Sequence, residues 1–208
     1  MKKINEIFYS LQGEGFHVGT PAVFVRFSGC NLKCEFCDTH HEEGVMMSDE
    51  EIVEKVCQYP CKTVILTGGE PGLWVDEDLI AALHKVGKYI CIETNGTCVL
   101  PESIDWVTCS PKLGAPLRVN RIDEVKVVFL GQDVSPYLEL KASFYFLQPC
   151  SCRNTAEVVE YIKSYPQWRL SLQTHKLIDI PRGIFVQFVI VFQPFFLLFF
   201  NIIQLGIC

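Results

Sequence analysis

Seven short runs rich in β-branched and aromatic residues, each bounded by turn residues, constrain the fold of this chain more than any other feature. They read AVFVRF (22–27), TVILT (63–67), YICIET (89–94), WVTCS (106–110), VKVVFL (125–130), FYFLQ (144–148) and WRLSLQ (168–173). Most are nearly continuous in apolar character, as expected of strands covered on both faces in a parallel sheet. Three stretches between them have helical spacing. Ser48 to Glu51 is a Ser-x-x-Glu capping box opening DEEIVEKVC, DEDLIAALHKVG stops at Gly87, and Asn154 stands as the cap of TAEVVEYIKSY before Pro166. Seven strands with only three clear helices predict an α/β protein built as a partial TIM-type barrel from which several helices are missing.

In such sheets the chemistry gathers in loops beyond the C-terminal strand ends. Five polar or glycine-rich segments fall there: CNLKCEFCDT, GGEP, TNG, SPK and QPCSC. The first holds Cys30, Cys34 and Cys37 at Cx3Cx2C spacing, with Asp38, Thr39, His40 and His41 as candidate fourth ligands. A structural zinc ion needs four closed ligands, so Cys30, Cys34, Cys37 and His40 or His41 would make a non-enzymatic zinc-binding module. A four-iron cluster on three thiolates instead keeps one iron open to a further ligand. Cys57 and Cys61 repeat a Cx3C spacing, but Cys57 ends a predicted helix. Cys150 and Cys152 lie beside a motif loop, and Cys91, Cys98 and Cys109 are expected in the core.

At 208 residues the chain is about one domain long, and its net charge of -6 offers no basic excess for nucleic acid. A small-molecule substrate fits better. The polar residues after Met-Lys-Lys contain no apolar secretory segment, so the 11 cysteines are expected reduced in the cytoplasm. Residues 1–180 read as one globular domain and 181–208 as an atypical apolar extension. No charge follows Arg182, and 7 of the 15 phenylalanines fall between Phe185 and Phe200. Ile184 to Cys208 is long enough for the roughly 20 residues of a membrane span, although Pro194 and three glutamines interrupt it. The extension therefore reads either as a translated continuation or as a membrane anchor.

The Cx3Cx2C loop, with the aromatic Phe36 before its last cysteine, resembles the radical S-adenosylmethionine superfamily, and Gly68, Gly69, Glu70 and Pro71 match that superfamily's GGEP loop. The resemblance implies one 4Fe-4S cluster on Cys30, Cys34 and Cys37. It also implies S-adenosylmethionine on the open iron and its reductive cleavage to a 5'-deoxyadenosyl radical. Phe36, Cys37, Asp38, Gly69, Glu70, Asn95, Ser110, Pro111 and Lys112 fall on the positions expected to hold S-adenosylmethionine.

Within the superfamily, FYSLQGEGFHVGTPAVFVRFSGCNLKCEFCDT together with TGGEP, ETNG, SPK, LQP and LQTHK is similar to the 7-carboxy-7-deazaguanine synthases. These contract the ring of 6-carboxy-5,6,7,8-tetrahydropterin with loss of ammonia, toward queuosine and related 7-deazapurines. The activating enzymes of glycyl-radical enzymes and of anaerobic ribonucleotide reductase share the cysteine spacing but lack LQGEG and LQTHK. On the closer resemblance, Leu11, Gln12, Gly13, Glu14, Thr67 and Gln148 meet the pterin and Arg26 its carboxylate. Gln173 and His175 close the pocket, and Thr39 with the substrate carboxylate holds Mg2+. An electron donor such as flavodoxin or ferredoxin and a homodimeric state are also implied. Read from the residues alone, GEG is a tight turn, Arg26 needs a structural partner, and Asp38 and Thr39 cap a turn. His17, His40, His41 and His84 read as solvated or structural.

Overall fold

A computed structural model describes residues 1–178 and 180. Its strands are β1 (Lys2–Leu11), β2 (Pro21–Phe27), β3 (Val45–Met47), β4 (Thr63–Gly68), β5 (Tyr89–Thr94), β6 (Trp106–Cys109), β7 (Glu124–Phe129), β8 (Phe144–Pro149) and β9 (Arg169–Leu170). The α-helices are α1 (Asp49–Cys57), α2 (Glu77–Lys85), α3 (Thr155–Ser164) and α4 (Thr174–Leu177). The strands form one sheet in the order β3-β1-β2-β4-β5-β6-β7-β8-β9. From β2 to β9 every neighbour pair is parallel, while β1 runs antiparallel to both β2 and β3. This is the partial α/β barrel expected from the sequence, with long helices after only a few strands.

The doubly covered strands follow the apolar runs closely, because continuous Val, Ile and Leu can be satisfied only where both faces are buried. Val23, Val25, Val64, Leu66, Ile90 and Ile92 join α1 and α2 residues in one core cluster, and Val125, Val127, Leu147, Val158 and Trp168 form a second under α3. The run 168–173 is shorter than expected. Only Arg169–Leu170 is strand, because after the Ser171 N–H bonds Leu147 O the chain turns into α4. The ten-residue β1 and short β3 were not foreseen. β1 leaves Tyr9 and Leu11 exposed and alternates in burial, so it lacks a continuous apolar run.

Local capping is as read for α1, where Ser48 Oγ accepts from the Glu51 N–H and Glu51 Oε2 accepts from the Ser48 N–H. For α3 it differs: Asn154 is at the cap position, but its side chain makes no bond to the helix. Its Oδ1 accepts from the Cys150 N–H and its Nδ2 donates to Phe129 O, tying the β8 loop to β7.

The β1–β2 hairpin loop closes the lower end of the barrel. Phe16 stacks on Trp106 and packs on Phe144, residues that begin β6 and β8, and the Phe16 N–H donates to Glu124 at the start of β7. At the open side, the Thr174 N–H and hydroxyl both donate to Gly13 O, joining α4 to the hairpin. Among the described residues no helix is long and apolar enough to cross a membrane. The extension 181–208, with both readings of it, lies outside the described residues.

Candidate active site

The cysteine loop leaves β2 and is held by its neighbours' backbones. The Gly29 N–H donates to His41 O, the Glu70 N–H donates to Gly29 O, and the Gly69 N–H donates to Phe27 O. The loops after β2 and β4 approach so closely at Gly69 that a methyl group there would overlap the Gly29 carbonyl. Within the loop the Cys37 N–H donates to Cys34 O at 3.1 Å. Burial first, then neighbouring Glu70, Cys34 and Cys37, pushes the Cys30 thiol above its ordinary pKa. The Cys30 thiol is therefore reluctant to ionise by itself, and a cation bound beside it would reverse that balance.

One cavity runs from this loop into the barrel. Near its base, Lys126 Nζ donates to Glu14 Oε2 at 2.7 Å and to Glu93 Oε2 at 2.6 Å. The remaining carboxylate oxygens are also engaged: Gln173 Nε2 donates to Glu14 Oε1, and Gln12 Nε2 donates to Glu93 Oε1. Burial disfavours the Lys126 charge, but Glu14, Glu93 and nearby Glu124 outweigh it and raise its pKa. Burial likewise opposes the charge on Glu14, yet Lys126 and the Gln173 hydrogen bond hold its carboxyl below the ordinary value. Glu14, Glu93 and Lys126 thus form a charged network at the base of the cavity.

The Radical SAM superfamily model matches residues 24–108. The 7-carboxy-7-deazaguanine synthase of Bacteroides thetaiotaomicron is 69% identical over 180 residues, covering 86% of this chain and 99% of that protein. The chain belongs to the 7-carboxy-7-deazaguanine synthase family. The Burkholderia multivorans synthase is 41% identical over 206 residues, covering 86% of this chain and 98% of its own. The crystal structure of QueE from Escherichia coli matches with TM-score 0.70 and 30% identity over 82% of this chain and 93% of that one. As a radical S-adenosylmethionine enzyme, a member of this family uses a 4Fe-4S cluster and S-adenosylmethionine and requires a reductant.

Most residues expected at the site share the cavity. Cys30, Cys34, Phe36, Asp38 and Thr39 line it from the cysteine loop, and Arg26, Thr67 and Gly69 from β2 and β4. Asn95, Ser110 and Lys112 line it beyond β5 and β6, and Gln148 and His175 from the far side. Leu11, Gln12, Gly13 and Glu14 enter from the hairpin. Cys37, Glu70 and Pro111 do not line it; Cys37 is exposed, while Glu70 and Pro111 are buried behind the wall.

Glu70 is fully buried and accepts three hydrogen bonds from its neighbours. Its Oε1 accepts from Thr94 Oγ1 and the Gly72 N–H, and its Oε2 accepts from the Asn95 N–H. Burial raises its pKa against those bonds. In this geometry it joins the β4 and β5 loops, and the cavity wall beside it is backbone of Gly68 and Gly69. Arg26 lines the cavity but also donates from Nε to Glu6 Oε1 at 2.7 Å, which supplies the partner its strand position demands. Glu93 and Lys126 were not singled out from the sequence. Each is a lone charge within an apolar strand run, the same signal that drew notice to Arg26.

The cysteine loop supplies three thiols, one short of a closed structural zinc site and the number with which a four-iron cluster keeps one iron open. Among the described residues no three His, Cys, Asp or Glu side chains converge closely enough to hold one ion. A cluster distributes its thiolates over separate irons and needs no such convergence. Cys91 and Cys109 are buried core thiols as expected, with burial pushing each up to about 12.

Proposed function

We propose that this cavity is where 6-carboxy-5,6,7,8-tetrahydropterin is contracted to 7-carboxy-7-deazaguanine, with Cys30, Cys34 and Cys37 as the cluster ligands. The observation carrying this reading is that one cavity joins the three-cysteine loop to a charged base built from Gln12, Glu14, Glu93 and Lys126. When bound, the cluster and S-adenosylmethionine supply the radical that removes hydrogen from the substrate; the chain's part is to orient and enclose.

The base suits the 2-amino-4-oxopyrimidine edge of a pterin. That edge presents N–H donors beside a carbonyl acceptor, and two carboxylates around one ammonium offer the complement. His175 and Gln148 face the same space from the other side. Gly13 keeps the hairpin close to α4, since a methyl group there would overlap the His175 ring. Arg26 presents a guanidinium to the cavity for the substrate carboxylate. S-adenosylmethionine lies along Phe36, Gly69, Asn95, Ser110 and Lys112 in this reading. Lys112 is drawn inward, its Nζ donating to Ser110 O and Oγ, and burial lowers its pKa.

Mg2+ is assigned to Thr39, whose hydroxyl is a hard-oxygen ligand on the cavity wall; this ion retains most of its waters and needs no protein cage. A small one-electron donor such as flavodoxin or ferredoxin supplies the reductant, and a homodimeric state is part of the same reading through family resemblance.

Anaerobic reconstitution followed by incubation with the carboxytetrahydropterin, S-adenosylmethionine and dithionite tests the assignment. Wild type is expected to form the deazaguanine product, and Glu14→Gln to lose at least tenfold in kcat/KM with full iron content. A Glu14→Gln enzyme as active as wild type would remove the base from the substrate site. Glycyl-radical formation on a partner protein without pterin turnover would transfer the chemistry to the activating class.

A further inference from the structure

A closed ring of hydrogen bonds links the cysteine loop to the loop after β5, and of its three members only Asn95 enters the assignments above, beside S-adenosylmethionine. Asn31 Nδ2 donates to Thr97 Oγ1 at 2.7 Å, Thr97 Oγ1 donates to Asn95 Oδ1 at 2.7 Å, and Asn95 Nδ2 donates to Asn31 Oδ1 at 3.0 Å. The Thr97 backbone N–H also donates to Asn95 Oδ1, at 3.0 Å. A backbone N–H can only donate, so this contact identifies the Asn95 acceptor and with it the direction of every bond in the ring. The Asn95 amide nitrogen must then face the cysteine loop. Cys30 Sγ lies 3.9 Å from it, within reach of an N–H···S hydrogen bond, and also accepts from the Leu32 N–H at 3.5 Å.

Asn95 and Thr97 are both buried, so water competes little for their groups, while Asn31 is exposed and closes the ring from the solvent side. Without Asn31 or the Thr97 hydroxyl the Asn95 side chain loses a tether and can rotate away from the sulfur. We propose that Asn31 and Thr97 are positioning residues that aim the Asn95 amide at Cys30 Sγ and thereby set the reduction potential of the cluster. This rests on the reading of Cys30, Cys34 and Cys37 as cluster ligands. Reduction adds one electron and places more negative charge on the ligand sulfurs, so an N–H donor stabilises the reduced state more than the oxidised one. Losing that donor makes the cluster harder to reduce.

The test is a redox titration of the full-length, anaerobically reconstituted protein with dithionite and mediators, following the electron paramagnetic resonance signal of the reduced cluster. Asn31→Ala and Thr97→Val are expected to shift the midpoint to more negative potential, while Thr97→Ser, which keeps the hydroxyl, titrates close to wild type. Iron content is expected to remain about four per chain in all of them. Full clusters with unmoved midpoints in Asn31→Ala and Thr97→Val would overturn the proposal. If Asn31→Ala fails to assemble a cluster, Thr97→Val decides, because Thr97 lies outside the cysteine loop. A wild-type protein that binds no four-iron cluster would instead overturn the ligand assignment, and the proposal with it.

Discussion

Lys126 holds two carboxylates together inside the barrel, and the charge balance there depends on it. With only 4% of its side chain exposed, and Glu14 and Glu93 mostly buried, replacing it by methionine leaves two buried anions without their cation. Breaking one side of such a pair costs about 3–5 kcal/mol. The lowered pKa of Glu14 means that its contribution is present above the unfolded carboxyl value and is lost as pH falls through the folded one. Lys126→Met should therefore be far less stable than wild type at pH 7, and the gap should narrow near pH 4, where the orphaned Glu14 carboxylate takes up a proton. Chemical denaturation at the two pH values checks this; an equal gap at both would mean the network contributes no pH-linked stability. Thiol chemistry gives a second residue-scale prediction. Cys91 and Cys109, each raised to about 12 by burial, should resist iodoacetamide at pH 8 in the native protein, whereas exposed Cys57 should react. Peptide mapping by mass spectrometry would detect the contrast.

Among the elements, the loops after β2 and β4 act as a unit because their backbones bond each other, and the close approach at Gly69 leaves no room for a side chain. Gly69→Ala should push the GGEP loop off the cysteine loop and weaken S-adenosylmethionine binding at least tenfold, measured by calorimetry on reconstituted protein, while the far-ultraviolet circular dichroism stays native. Unchanged affinity would show that the loops can separate without consequence. The α1 capping box stands away from this chemistry. Ser48→Ala removes the acceptor for the Glu51 N–H and should cost about 1 kcal/mol in unfolding free energy with turnover unaffected.

For the whole molecule, the bonds from Thr174 to Gly13 join the last described helix to the first hairpin, so among the described residues the barrel is already closed by contacts within 1–180. Deleting 181–208 should consequently leave the melting temperature and iron content unchanged. It should raise the soluble fraction, because the deleted segment concentrates seven phenylalanines without a charge after Arg182. Loss of the cluster on truncation would place the domain boundary beyond 180, and membrane association of the full chain that survives carbonate washing would favour the anchor reading.

The sequence by itself determined the features whose cause is local. Six of the seven expected strands appear close to their expected limits, since a strand buried on both faces must be apolar throughout. The cysteine loop was legible because its three thiols sit within eight residues, and the α1 cap because its reciprocal bonds span three. Tertiary structure decided the rest. β1 shows no continuous apolar run because one of its faces remains partly exposed. Glu70, read from GGEP as an acceptor for the S-adenosylmethionine amine, also accepts hydrogen bonds from Thr94 and Asn95, residues 24 and 25 positions away. The partners of Lys126 lie 112 and 33 positions away in Glu14 and Glu93, and only the closing of the sheet brings them within hydrogen-bonding distance. Such contacts leave no periodic trace in a sequence, because the partners' separation along the chain is set by the intervening strands and not by any local repeat.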